Sequence, residues 1–225
     1  AKLPVSISEF AVLQDEHGVR LFGGDVTEWA ASWYAAVTDR VYDLDVQQVH
    51  EWSMATGGLL HPRAHVIGML EKMQGGERLV STVHGASAAR AGAIACAKDG
   101  SFLILIYNHR PWRTPAILEG IDLEIHSAAF QDGDLWGVRR TQVDQDHGVF
   151  IHQLYEDFQQ AGVGILPKAP IYGGNLGLRF AAPWRSLLTE NLAKYQELAR
   201  PPVPEELAKV TVADGRLTIS GDLPG

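Results

Sequence analysis

Up to Gly76 the apolar positions switch between strand-like and helix-like spacing, and beyond it they run mainly at a period of two. Val5, Ile7 and Phe10, with Ala11-Val12-Leu13, predict a short strand that ends near Glu9 or Phe10. The polar, glycine-bearing stretch from Gln14 to Asp25 predicts a loop. Thr27 suits an N-cap, and Glu28 suits the positive end of a helix. Trp29, Trp33, Val37 and Val41 recur at four-residue steps, with Ala30, Tyr34 and Leu44 beside them. That spacing predicts a helix with a wide apolar face. Val46 to Met54 predicts a second strand, broken by Gly57-Gly58. Pro62 suits the first turn of another helix, whose buried stripe is Val66, Met69, Leu70 and Met73 and which Gly75-Gly76 stops. Residues 1–76 therefore read strand, helix, strand, helix, the repeating element of a parallel α/β fold. Two such units alone do not close a sheet or cover both its faces.

Residues 77–225 read as a β-rich domain with short helices. Arg78 to Gly85, Gly92 to Ala97 and Ser101 to Asn108 are strand candidates, the last two joined by a turn at Asp99-Gly100. Ile121, Leu123 and Ile125 alternate with Asp122, Glu124 and His126, the pattern of a strand with one wet face. Asp132-Gly133 turns the chain into Leu135 to Val143. Phe150, Leu154 and Phe158 mark a helix ending at Gly162, and Leu188, Leu192 and Tyr195 mark another. The Gly- and Pro-rich stretch between them, Gly162 to Pro183, predicts irregular structure. Pro201-Pro202-Val203-Pro204 is a stiff connector. Lys209 to Val212 and Arg216 to Ser220, joined by Asp214-Gly215, predict a last hairpin.

Composition narrows the function classes. The 225 residues carry a formal net charge of −8, and the only adjacent basic pair is Arg139-Arg140 inside a predicted strand. Nucleic acid and anionic membrane surfaces need basic patches, so neither is expected as a partner. No apolar run approaches the length of a membrane span. The single cysteine, Cys96, excludes an internal disulfide and reads as an inert core thiol; it does not decide the compartment. The chain starts without Met or a signal peptide and enters a strand almost at once, as a fragment or processed product would.

Candidate chemistry gathers at the ends of the first two strands. Barrel enzymes place catalytic groups there, and Glu9 ends a strand that a long loop follows. A retaining glycosidase needs such a carboxylate as nucleophile, with a second carboxyl about 5 Å away as acid and base. His50-Glu51-Trp52 ends the second strand, where a carboxylate can hold sugar hydroxyls and an aromatic face can cover the ring. The competing reading is a core Trp beside a surface Glu. His61 and His65 have the spacing that puts two imidazoles on one helix face, but the metalloprotease glutamate is absent and no metal is expected. Asp144, Asp146 and His147 read as a turn. No phosphate-binding glycine loop or Gly-x-Ser-x-Gly elbow is present, and no cofactor is expected.

These segments resemble those of glycoside hydrolase family 39, the family of β-xylosidases and α-L-iduronidases. Pro4-Val-Ser-Ile-Ser-Glu9-Phe10 resembles its seventh barrel strand, where a Thr-Glu-Trp or Thr-Glu-Phe type sequence carries the nucleophile. Val49-His-Glu-Trp52-Ser resembles the eighth strand, and Gly58-Leu-Leu-His-Pro-Arg-Ala-His-Val-Ile-Gly-Met-Leu resembles the entry to the final helix. Leu103-Ile-Leu-Ile-Tyr107-Asn108-His109, Arg140-Thr-Gln-Val-Asp144-Gln-Asp146-His147 and the segment from Val212 to Pro224 are similar to later segments, in the same order. The family's acid/base glutamate sits in an Asn-Glu-Pro sequence that this chain lacks, and Glu51 stands where xylosidases tend to have Tyr.

The resemblance implies the last two βα units of a (β/α)8 barrel over residues 1–76 and a β-sandwich-like domain over 77–225. It implies part of a retaining glycosidase acting on a xyloside-like or related sugar, with Glu9 as nucleophile and Phe10, His50, Glu51 and Trp52 around the sugar. The expected partners are the carbohydrate and either an N-terminal barrel portion or a second copy of the chain. The alternative is a non-catalytic carbohydrate-binding or structural β-sandwich module.

Overall fold

The computed structural model describes residues 5–10, 26–44, 46–51, 54–85, 90–110, 119–162 and 182–223. The chain forms two units, Ala1–Arg113 with Val143–Pro201, and Thr114–Gln142 with Pro202–Gly225. The first unit opens with β1 (Val5–Phe10) and β2 (Val46–Glu51), which pair in parallel with α1 (Glu28–Val41) as their crossover. Of the strand predicted to Met54, β2 spans Val46–Glu51, and Trp52 and Ser53 lie outside the described residues. A small antiparallel hairpin follows, β3 (Ala55–Thr56) and β4 (Leu59–Leu60), turning through Gly57 and Gly58, both at positive φ. Then comes α2 (Pro62–Met73), with Pro at its start.

Three antiparallel strands, β5 (Glu77–Leu79), β6 (Ala91–Lys98) and β7 (Ser101–Asn108), form the next sheet in that order. They lie in the first unit, together with the βα elements. Asp99 and Gly100 join β6 to β7 with both residues at positive φ, as a tight primed turn requires. The predicted strand from Arg78 to Gly85 ends at Leu79. Beyond it Val80 is 97% exposed, and the Ser81 hydroxyl donates to the Ala93 carbonyl at 2.6 Å. A side chain has taken the acceptor next to the end of the ladder.

The face that α1 buries is Ala30, Ala31 and Ala35 rather than its Trp and Val stripe. Ala31 and Ala35 pack with Val66 of α2 and Tyr107 of β7. Small side chains let the helix backbone approach closely, and Trp33, Val37 and Val41 stay half-buried. Tyr107 lies across β6 over its cross-strand partner Gly92 and donates to Asp39 of α1 at 2.7 Å. Burial, with the Asp39 hydrogen bond, pushes its phenol far above the ordinary value. A methyl group on Gly92 would overlap the end of the Tyr107 ring.

A second core in this unit joins Val26 and Leu59 to Phe150, Ile151, Leu154, Phe158 and Tyr195. The last five come from α3 (Ile151–Gln160), its N-cap residue, and α5 (Leu192–Leu198). The predicted helix around Leu188 to Tyr195 is two helices, α4 (Ala182–Glu190) and α5, parted at Asn191, whose side-chain amide donates to the Leu187 carbonyl. Asp157 ties α3 to α5, accepting from Tyr195 and Lys194, each at 2.8 Å. Burial opposes ionisation of Asp157, but hydrogen bonds from Lys194, Tyr195 and Gln153 outweigh it and hold the carboxyl below its usual range. The stretch predicted to be irregular falls almost wholly on residues 163–181, outside the described residues, and the whole loop predicted from Gln14 to Asp25 lies outside them too.

The second unit holds β8 (Glu119–His126), β9 (Leu135–Arg140), β10 (Glu205–Thr211) and β11 (Arg216–Leu223). The predicted final hairpin closes only at its tip: Asp214 and Gly215 turn the chain and Ala213 bridges Arg216, but β10 ladders with β9 and β11 with β8. Alternation reveals a strand and says nothing of its partner. Val212 and Leu217 are buried, and Trp136 meets Phe130 edge-on at 5.3 Å.

Two stability outcomes follow. Gly92→Ala should cost about 1–3 kcal/mol, the usual range for overpacking, read as a lower urea midpoint with unchanged slope. His65 of α2 is buried and donates from Nε2 to the Gly148 carbonyl at 3.1 Å. Burial lowers its pKa below the ordinary 6.5, and the Gly148 bond only partly offsets this. The unfolded chain therefore binds the proton first as pH falls. The stability this gives is present above 6.5 and is lost as pH drops through the folded value. His65→Gln keeps a donor near the same place and should flatten that acid-side loss in urea titrations at about pH 7.5 and 5.5.

Candidate functional site

Parallel pairing brings the two predicted strand ends together. Ile7 pairs with Val49 and Phe10 with Glu51. Between these pairs β1 advances three residues and β2 only two, so β1 carries an extra residue around Ser8 and Glu9. Such bulges bend a strand and re-aim its side chains, often beside functional sites. The backbone of Glu9 thus sits in a bulge at the C-terminal end of its strand, next to the strand that ends in Glu51. The Glu9 and Phe10 side chains, and Trp52 altogether, lie outside the described residues.

Glu51 and His50 part company. His50 is exposed, whereas the Glu51 side chain retains 8% of its exposure. Neighbours on a strand point to opposite faces, so only one of them can join any one side of the sheet. Glu51 faces inward and meets the guanidinium of Arg63, with Oε2 3.2 Å from Nη1. Arg63 is completely buried, in the first turn of α2. Tyr34 of α1 completes the group: burial, and then the Glu51 charge, push its phenol above the ordinary value. Three elements converge on one buried charge pair.

Sequence reasoning missed Arg63, which falls outside the Val66-Met69-Leu70-Met73 stripe. Its signal was position. A cation in the first helical turn opposes the helix dipole, so an Arg directly after the N-terminal Pro asks for a nearby anion.

The other sequence candidates separate from this group. His61 occupies the N-cap position of α2 and is buried, and His65 is engaged with Gly148. Asp144 accepts from His147 Nδ1 at 2.7 Å and from the Asp146 amide at 2.9 Å, which makes the cluster a closed turn. Cys96 is buried, with its thiol directed at the Met73 carbonyl. Among the described residues no group of three or more His, Cys, Asp or Glu is placed to hold a metal ion. Among them, too, no helix is long and apolar enough to cross a membrane. A groove of about 340 Å³ lies between α1 and β2, lined by Tyr34, Val37, Val41, Leu44, Val46 and Val49.

No protein-family model matches the sequence, and no curated protein aligns with it significantly. The resemblance to family 39 therefore rests on the short segments quoted above.

Breaking a buried ion pair by removing one partner typically costs about 3–5 kcal/mol, because the other charge is left uncompensated. Arg63→Met should show that loss in urea unfolding. Arg63→Met combined with Glu51→Gln should recover a large part of it. Equal losses in the single and double variants would mean that the two charges are not coupled.

Proposed function

We propose that this chain is the part of a retaining glycoside hydrolase that carries the nucleophile, Glu9, and acts on a xyloside-like or related sugar. The observation that carries the reading is the parallel β1–α1–β2 unit with Glu9 in a bulge at the C-terminal end of β1, beside Glu51 at the end of β2. Glu9 attacks the anomeric carbon as the glycosidic C–O bond breaks, and a covalent glycosyl-enzyme forms. The leaving oxygen takes a proton from a second carboxyl, which then activates the water that releases the sugar. That second carboxyl comes from an N-terminal barrel portion, which also covers β1 and β2. Purely parallel sheets are covered on both faces, and here Val5 is 53% and Leu44 59% exposed, with an open groove between α1 and β2.

The test joins this chain to its N-terminal barrel portion and follows release of an aryl β-xyloside. Glu9→Ala should lower turnover by roughly 10⁴-fold or more, the scale of losing a covalent nucleophile. Azide should restore part of it by standing in for the carboxylate. The chain by itself should show no turnover. Near-full activity of Glu9→Ala would remove the nucleophile assignment. Turnover by the chain alone, lost on Glu9→Gln, would show that both carboxyls are already present in it.

A further inference from the structure

The β1–β2 pair has two faces, and the helices occupy one of them. Val49 lines the groove against α1, and Glu51, two residues on, meets Arg63 of α2. Both carboxylate oxygens of Glu51 are buried, so Glu51 offers no acceptor to a ligand. Side chains alternate along a strand, which turns Gln48 and His50 to the other face, where both are exposed. Register carries the same division to β1. Ile7 pairs with Val49 on the helix side, whereas Ser6 pairs with Gln48, and Ser6 and Ser8 are exposed. The face turned away from the helices thus presents Ser6, Ser8, Gln48 and His50, each able to make hydrogen bonds and none carrying a fixed charge.

The bulge singles out His50. From Ile7–Val49 to Phe10–Glu51, β1 passes through Ser8 and Glu9 while β2 passes through His50 alone. Two residues of a bulged strand oppose one of its partner, so the backbone of Glu9 shares the position opposite His50. We infer that His50 is a substrate-binding residue of the strand-end site, whose imidazole hydrogen-bonds a hydroxyl of the neutral sugar that Glu9 attacks. The inference rests on the glycosidase reading and adds to it the face from which the sugar is held.

Space, reach and chemistry each support the assignment. On the helix side the strand end is filled by the Glu51–Arg63 pair, so a sugar approaches over the open face. A nucleophile works from about 3–3.5 Å, and neighbouring strands lie about 4.8 Å apart. A group rooted opposite Glu9 is therefore within one sugar ring of the anomeric carbon. An imidazole offers a donor and an acceptor, and so does a hydroxyl. No Lys or Arg stands among the four residues of this face, so it suits hydroxyls and gives a sugar carboxylate no fixed counter-charge.

The test uses the chain joined to its N-terminal barrel portion, with an aryl β-xyloside and its 2-, 3- and 4-deoxy analogues. His50→Ala should lower kcat/KM on the parent xyloside by roughly fivefold or more, the scale of one lost hydrogen bond. On one deoxy analogue the same variant should stay within about twofold of wild type, because the bond is already missing there. His50→Gln, which keeps a donor and an acceptor, should recover part of the loss on the parent. A merely structural role would lower kcat/KM alike on all the substrates, and that result would overturn the inference. So would a His50→Ala variant that matches wild type on the parent. If His50→Ala does not fold, His50→Gln on the same substrates decides by the same criterion. A wild-type assembly that turns over no aryl glycoside removes the glycosidase reading and the inference with it, whereas an active wild type indifferent to His50 removes the inference alone.

Discussion

A guanidinium that cannot shed its charge must be given an anion when it is buried, and the end of β2 is arranged around that demand. Arg63 enters the interior from the first turn of α2, where the helix dipole is already unfavourable to a cation. Glu51 answers it from the last residue of β2. The strand terminus and the helix start are thereby locked together, with the β3–β4 hairpin closing the chain between them. An apolar pair of similar shape would often be as stable or more so. What the ion pair adds is charge compensation at the end of β2, which the parallel register sets beside the bulged end of β1.

Close packing of small residues commits α1 elsewhere. Ala31 and Ala35 bring the helix against α2 and the antiparallel sheet, and Tyr107 bonds to Asp39 only because Gly92 leaves room for its ring. The helix is thus anchored by its alanine face, while Val37 and Val41 turn toward β2 across an open groove. A crossover helix in a closed α/β layer covers the strands it joins. Here its firmest contacts are with other elements, and β1 and β2 keep apolar positions in view. That imbalance among the described residues is what supports the proposal of a covering polypeptide.

Much of the secondary structure was legible because long elements repeat their period. β1, α1, β2, α2, β6, β7 and β8 all follow from apolar spacing and from the glycines that end or turn them. Three features were not. Two-residue strands such as β3 and β4 are too short to show a period. The partners of β10 and β11 depend on contacts remote in sequence, so the turn at Asp214-Gly215 predicts a full hairpin although, beyond the Ala213–Arg216 bridge, each strand pairs elsewhere. The buried face of α1 was hidden because bulk drew attention to Trp29 and Trp33, while proximity selects alanine. At the site, the strand-end placement of Glu9 and Glu51 followed from the position of the loop and the break after them. The bulge and Arg63 did not, since a register shift leaves no residue signature and an arginine beside an apolar stripe reads as surface.

The charge pair also bears on the nucleophile. Two carboxylates at neighbouring strand ends repel, and in a shared site one of them ordinarily takes up a proton. A protonated Glu9 would be a far weaker nucleophile toward an anomeric carbon than its carboxylate. With Glu51 neutralised by Arg63, the nearest strand end presents a compensated pair rather than a bare negative charge. On the glycosidase reading, that compensation favours a carboxylate at the neighbouring strand end, and the carboxyl that must carry a proton is supplied from another part of the barrel. On that reading, the roles of the carboxyls depend on how the buried Arg63 charge is shared at the end of β2.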